Sequence, residues 1–94
     1  MIDEMLSRLE KLNDPLLDDW TLRLIRNVYE HALEGYTMGQ LLGYISYRKR
    51  IADRTNKEKA RRVLSALKTN RWGLRDDVEA LQQEAQARRD SERR

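Results

Sequence analysis

Residues Gly35–Arg54 read GYTMGQLLGYISYRKRIADR, and the path of this stretch decides the architecture of the chain. Thr37 supplies a hydroxyl N-cap ahead of Met38, Leu41, Leu42, Ile45, Ile51 and Ala52, spaced as on a helix with one apolar side. Laid on one unbroken helix at about 100° per residue, Arg48 falls between Leu41 and Tyr44, in the middle of the apolar arc, and Lys49 lies at its edge. An unpaired buried guanidinium is costly. Either the chain breaks near Ser46, or Arg48 snorkels along apolar surface to reach water.

Helical periodicity continues on both sides of this stretch, and nothing alternates with the period of a strand. Upstream, Leu17, Trp20, Leu24 and Val28, flanked by Ile25, Tyr29 and Ala32, make a broad apolar face. Asp14 is placed to cap that helix with Pro15 at its first position, and Gly35 suits a left-handed terminus. Ile2, Met5, Leu6, Leu9 and Leu12 form one face of a short first helix. Downstream, Thr55-Asn56-Lys57-Glu58 has the capping-box pattern and opens a fourth helix with Ala60, Val63, Leu64 and Leu67 inward, ended by Trp72-Gly73. A fifth helix starts near Leu74 with Asp76, Asp77 and Glu79 in its first turn, where the helix dipole favours acids. Its apolar seam, Leu74, Val78, Leu81 and Ala85, has a/d spacing. It is narrow enough to be a contact with one other helix, in this chain or in a second copy as a homodimer interface.

Composition bounds the class. A chain of 94 residues makes one domain with a modest core. Cysteine is absent, which excludes disulfides and thiolate metal sites and suits a cytoplasmic protein. There is no signal-peptide pattern and no apolar run of membrane-spanning length. The expected organisation is a single helical domain over residues 1–87, followed by a basic, disordered tail at 88–94.

Charge is concentrated. Arg48 to Arg71 carries ten Lys and Arg against Asp53 and Glu58, a local excess of +8, between an acidic N-terminal half and a nearly neutral C-terminal segment. Helical spacing puts Lys57, Arg61, Ser65, Lys68 and Trp72 along one stripe of the fourth helix, with Arg48, Lys49, Arg50 and Arg54 just ahead of it. Such a field attracts a polyanion, and Lys and Arg are the donors that follow repeating phosphates. Arg62 adds charge, and Tyr47 and Trp72 could stack or anchor.

The segment Gly35-Tyr36-Thr37-Met38-Gly39-Gln40-Leu41-Leu42 resembles the opening of the second helix in helix-turn-helix domains, with a turn glycine, a hydroxyl cap and a polar residue before an apolar pair. In that register Ser46 and Tyr47 form the turn and Arg48 to Arg54 begin a recognition helix. Ser46 stands where the motif usually has glycine, and Gly43 lies inside the proposed helix. The expected fold is therefore all-α, a compact bundle of about five short helices with room for a helix-turn-helix.

Catalytic chemistry has little support. His31 is the sole histidine and has no second ligand at metal spacing. Asp18-Asp19 and Asp76-Asp77 are sequence neighbours, which point about 100° apart on a helix and do not converge. No phosphate loop or nucleophile set is present, so the expectation is a protein that is not an enzyme and needs no cofactor or metal.

Two functions fit. One is a nucleic-acid-binding protein, foremost a dimeric DNA-binding transcriptional regulator, with Tyr47, Arg48, Lys49, Arg50, Arg54, Lys57, Arg61, Arg62, Lys68 and Trp72 at its interface. The other is a helical adaptor or inhibitor that docks on an acidic partner surface. A turn at Ile45–Arg48 supports the DNA reader, and a straight helix there supports the adaptor.

Overall fold

A computed structural model describes residues 1–93, in which five α-helices are joined by short links: α1 (Ile2–Glu10), α2 (Asp19–Leu33), α3 (Met38–Ile51), α4 (Arg54–Thr69) and α5 (Leu74–Glu92). No strand occurs among the described residues, and no helix is long and apolar enough to cross a membrane. The all-α bundle expected from periodicity is the fold observed.

α3 is unbroken. Thr37 and Gln40 close a reciprocal capping box at its start, and the helix continues through Ser46 and Tyr47 to Ile51. The turn required by the helix-turn-helix register is not formed, and Arg48 to Ile51 end α3 rather than starting a recognition helix. The arginine problem is solved by its neighbours. Arg48 Nη1 donates to Tyr44 Oη at 2.8 Å, and the guanidinium lies 6.0 Å from the Trp20 ring centroid and 5.9 Å from that of Tyr44. A half-buried cation between two aromatic faces is electrostatically favourable, so no break is needed. Ile51, expected inward, is 60% exposed, because a continuous helix carries it off the face shared by Leu41 and Ile45.

Local chemistry moves two helix starts. Asp18, not Asp14, caps α2, its Oδ1 accepting from Thr21 N at 2.9 Å. Asp14 is used up in a turn, where its Oδ1 accepts from Leu16 N at 2.9 Å. α4 is capped by Asp53, which accepts from Asn56 N at 2.9 Å, two residues ahead of the Thr55 box. Glu58, expected to close that box, instead meets Arg61 at 3.4 Å. The cap also sets the link, since Ala52 and Asp53 alone fold α4 back along α3, the most extensive helix pair in the molecule.

Between α4 and α5 the chain bends sharply. Asn70 (φ 59°), Trp72 (φ 59°) and Gly73 (φ 69°) all occupy left-handed backbone. Asn70 holds the bend by donating to Asp76 Oδ2 at 3.1 Å and accepting from Asp76 N at 3.2 Å. Trp72 is fixed from outside the bend, its Nε1 donating to Asp14 Oδ2 at 2.7 Å. Such a conformation is unfavourable for a bulky residue and persists where the surroundings hold it.

α2 and α5 pack along one another and build the core with Leu24, Ile25, Val28, Tyr29, Leu74, Val78 and Leu81, all fully buried. The seam of α5 is therefore filled by α2 of the same chain. Leu74, Val78, Leu81 and Ala85, the residues expected to contact either another helix of this chain or a second copy, are buried within the single chain. Gly35 (φ 103°) terminates α2 as its position suggested. α5 itself continues past residue 87 to Glu92, where the sequence suggested a disordered tail. Side-chain pairs along its exposed face accompany the extension, Glu84 with Arg88 at 3.6 Å and Gln86 with Asp90 at 2.9 Å. The end of that expected tail, residue 94, lies outside the described residues.

Candidate polyanion-docking groove

The capping of α3 and α4 dictates which basic residues meet. With α3 straight, Gly43, Ser46, Tyr47 and Arg50 recur at helical spacing on the side away from Leu41 and Ile45. With α4 folded back from Asp53, Lys57 and Arg61 stand one turn apart beside them. Together with Lys49, these residues line an open groove of about 510 Å³.

Four of the seven lining residues are cations and none is an acid. Among the described residues, Lys49, Arg50 and Lys57 have no ion-pair partner, and Arg61 shares Glu58 at 3.4 Å in an exposed contact worth little. Cations that are not neutralised locally project their field outward from the concave surface. Tyr47, 48% exposed, forms part of the wall, with the Arg50 guanidinium 6.0 Å from its ring centroid. Gly43 and Ser46 put almost no side chain into the groove, and a Cβ added at Gly43 would meet nothing within 4 Å beyond its chain neighbours and the adjoining helix backbone.

Of the ten basic and aromatic residues expected to form one interface, the structure brings Tyr47, Lys49, Arg50, Lys57 and Arg61 together. Arg54, Arg62 and Lys68 are exposed on α4 but do not line the groove. Arg48 points to Tyr44 and Trp20 instead. Trp72 leaves the stripe because α4 ends at Thr69 and the left-handed bend carries the indole to Asp14. Gly43 and Ser46 are not legible as site residues in the sequence, because neither is basic or aromatic and the helix-turn-helix register would place Ser46 in a turn. Their spacing with Tyr47 and Arg50 was the signal available.

The other polar clusters stitch helices together. Tyr29 Oη donates to Asp77 Oδ2 at 2.6 Å, and burial, followed by the carboxylate beside it, raises the phenol's pKa well above the usual tyrosine range. Asp14 has a lowered pKa because Leu16 N and then Trp72 Nε1 donate to it, with Arg71 nearby. At Asp18, burial pushes the carboxyl up, but Lys59 at 2.7 Å and the Thr21 amide outweigh it and hold it below the ordinary 3.8. His31 stacks on Tyr36 and meets Tyr44 edge-on, both with centroids 4.5 Å apart, which fits it into the α2–α3 corner as a packing group. Among the described residues no group of three or more His, Cys, Asp and Glu side chains is arranged to hold a metal ion.

No protein-family model, no curated protein and no solved structure matches this chain.

Proposed function

We propose that the protein is a non-enzymatic helical docking module whose α3–α4 groove receives an acidic surface of a partner protein. The observation that carries this reading is the continuity of α3. It leaves no helix starting at Arg48 and makes Gly43, Ser46, Tyr47 and Arg50 one wall of a cationic groove. Tyr and Arg are the residue types that most often anchor protein interfaces, and a basic rim selects an acidic partner and speeds encounter with it.

A second reading, nucleic-acid binding, has its own support in Arg54, Arg62 and Lys68, further cations exposed on α4 outside the groove. A longer polyanion could follow them, reading charge rather than base sequence.

The test is a titration of fluorescent poly-L-glutamate and of duplex DNA, each at about 0.05 and 0.15 M salt, into wild type and the Lys57→Gln/Arg61→Gln variant. The docking reading expects the variant to bind polyglutamate at least about tenfold more weakly, equivalent to about 1.4 kcal/mol, while its Tm stays within a few degrees of wild type. Unchanged polyglutamate binding in the variant overturns it. Tight duplex binding at the higher salt, lost in the variant while polyglutamate binds poorly to both, establishes the nucleic-acid reading instead.

A further inference from the structure

A glycine in the middle of a helix destabilises it relative to alanine, so its presence calls for a reason in packing or approach. Gly43 lies in the interior of α3, and beyond its chain neighbours and the adjoining helix backbone no atom stands within 4 Å of where its Cβ would be. Nothing inside the folded protein requires the missing side chain. The space lies instead at the groove, between Ser46 and Tyr47 on the same helix face.

The exposed residues near that space are not those of a phosphate site alone. Tyr47 in the groove wall is 48% exposed, and Ile51, one helical turn further along and outside the groove lining, is 60% exposed, so the outer face of α3 carries an apolar ridge that runs from the groove toward the end of the helix. A phosphate backbone gains nothing from an exposed isoleucine. A helix with an apolar stripe flanked by acids gains from both features, placing apolar side chains on Tyr47 and Ile51 and carboxylates toward Lys49, Arg50, Lys57 and Arg61. Small residues at a helix crossing let two backbones approach closely, and Gly43 supplies that clearance. Gly43 to Arg50 spans about 10 Å, roughly two helical turns.

Building on the docking function proposed above, we propose that the occupant of the groove is an acidic amphipathic α-helix of a partner protein, crossing α3 at Gly43. The glycine is then a specificity-determining position whose benefit to binding is opposed to its effect on the fold. Gly43→Ala raises Tm by about 4–8 °C, the shift expected of a helix-propensity gain in a domain this size. Gly43→Leu fills the crossing point and blocks the helix.

The test uses the full chain and three fluorescent probes of similar net negative charge. They are a helical Leu/Ala/Glu peptide of about 20 residues with leucines at heptad a and d positions, the same peptide with two central prolines, and a single-stranded oligonucleotide. Wild type is expected to bind the helical peptide at least about tenfold tighter than the proline peptide at about 0.15 M salt. Gly43→Leu is expected to lose that preference while binding the proline peptide as wild type does. Equal affinity for the two peptides overturns the inference, as does an unaltered preference in Gly43→Leu or tighter binding of the oligonucleotide than of the helical peptide. If Lys57→Gln/Arg61→Gln binds every probe as wild type does, the groove itself is not the site and the docking reading fails with it. If charge matters and Gly43 does not, only the helical occupant is refuted.

Discussion

The phenol of Tyr29 on α2 donates to Oδ2 of Asp77 on α5 at 2.6 Å, and Arg8 of α1 reaches the same carboxylate oxygen. One acid thus ties three helices together around a fully buried ring. Tyr29→Phe keeps the ring and removes the donor, while Asp77 retains Arg8. The expected loss is about 1.5 kcal/mol, the lower end for a hydrogen bond to a charged group, or a Tm lowered by roughly 6–12 °C. Thermal unfolding followed by far-UV circular dichroism measures it, and a shift below about 2 °C would show that the bond contributes nothing net.

The continuity of α3 at Ser46 can be tested without any ligand. Proline in a helix interior removes one backbone hydrogen bond and clashes with the carbonyl four residues earlier, here Leu42, at a cost of about 3 kcal/mol or more. Ser46→Pro should therefore lose helical signal and unfold at far lower denaturant than wild type. A chain that turned at Ser46 would tolerate the substitution, so near-native stability would refute the straight helix.

Acid should destabilise the fold through Asp14 and Asp18. Both carboxyls are held below the ordinary 3.8, so the folded state favours their charged forms. Their contribution is present above the unfolded-state pKa and is lost as pH falls through the folded one. Tm should drop steeply below about pH 4. Asp18→Asn keeps an N-cap but weakens the link to Lys59, and Asp14→Asn weakens the link to Trp72. The double variant should be less stable than wild type at pH 7 and should lose less stability on going to pH 3. Parallel Tm curves for the two proteins would remove these carboxylates from the acid response.

Leu81 distinguishes a core seam from an oligomer interface. It is fully buried against the rest of its own chain, so Leu81→Ala should cost about 2–5 kcal/mol through lost burial and a cavity. Light scattering should give the same oligomeric state for wild type and variant. A dimer that dissociates in Leu81→Ala with its monomer stability intact would place this side chain between copies instead.

Much of the architecture could be read from spacing. The apolar positions of α2, α4 and α5 repeat with helical period, and Gly35 and Thr37 mark a helix end and a helix start where the structure has them. Boundaries were less legible where two acids or hydroxyls compete for one cap. Asp53 stands ahead of Thr55, and Asp14 precedes Asp18, and only the path of the surrounding chain selects between them. The site was half legible. The cations were evident as a charge excess, but their grouping depends on backbone direction, which composition does not encode.

Residue order is enough to specify a helical chain with concentrated basic charge, because periodicity and charge are local properties. What Arg48 does is settled only once the helices pack. On the sequence it is a cation misplaced in an apolar arc, and in the fold Trp20 and Tyr44 receive it, so α3 stays straight. Tertiary structure also decided that Trp72 turns away to Asp14, and that Gly43 and Tyr47 join Lys57 and Arg61 across two helices. Each of these depends on partners distant in the sequence or on the angle of a link, and such contacts exist only once the chain has closed on itself.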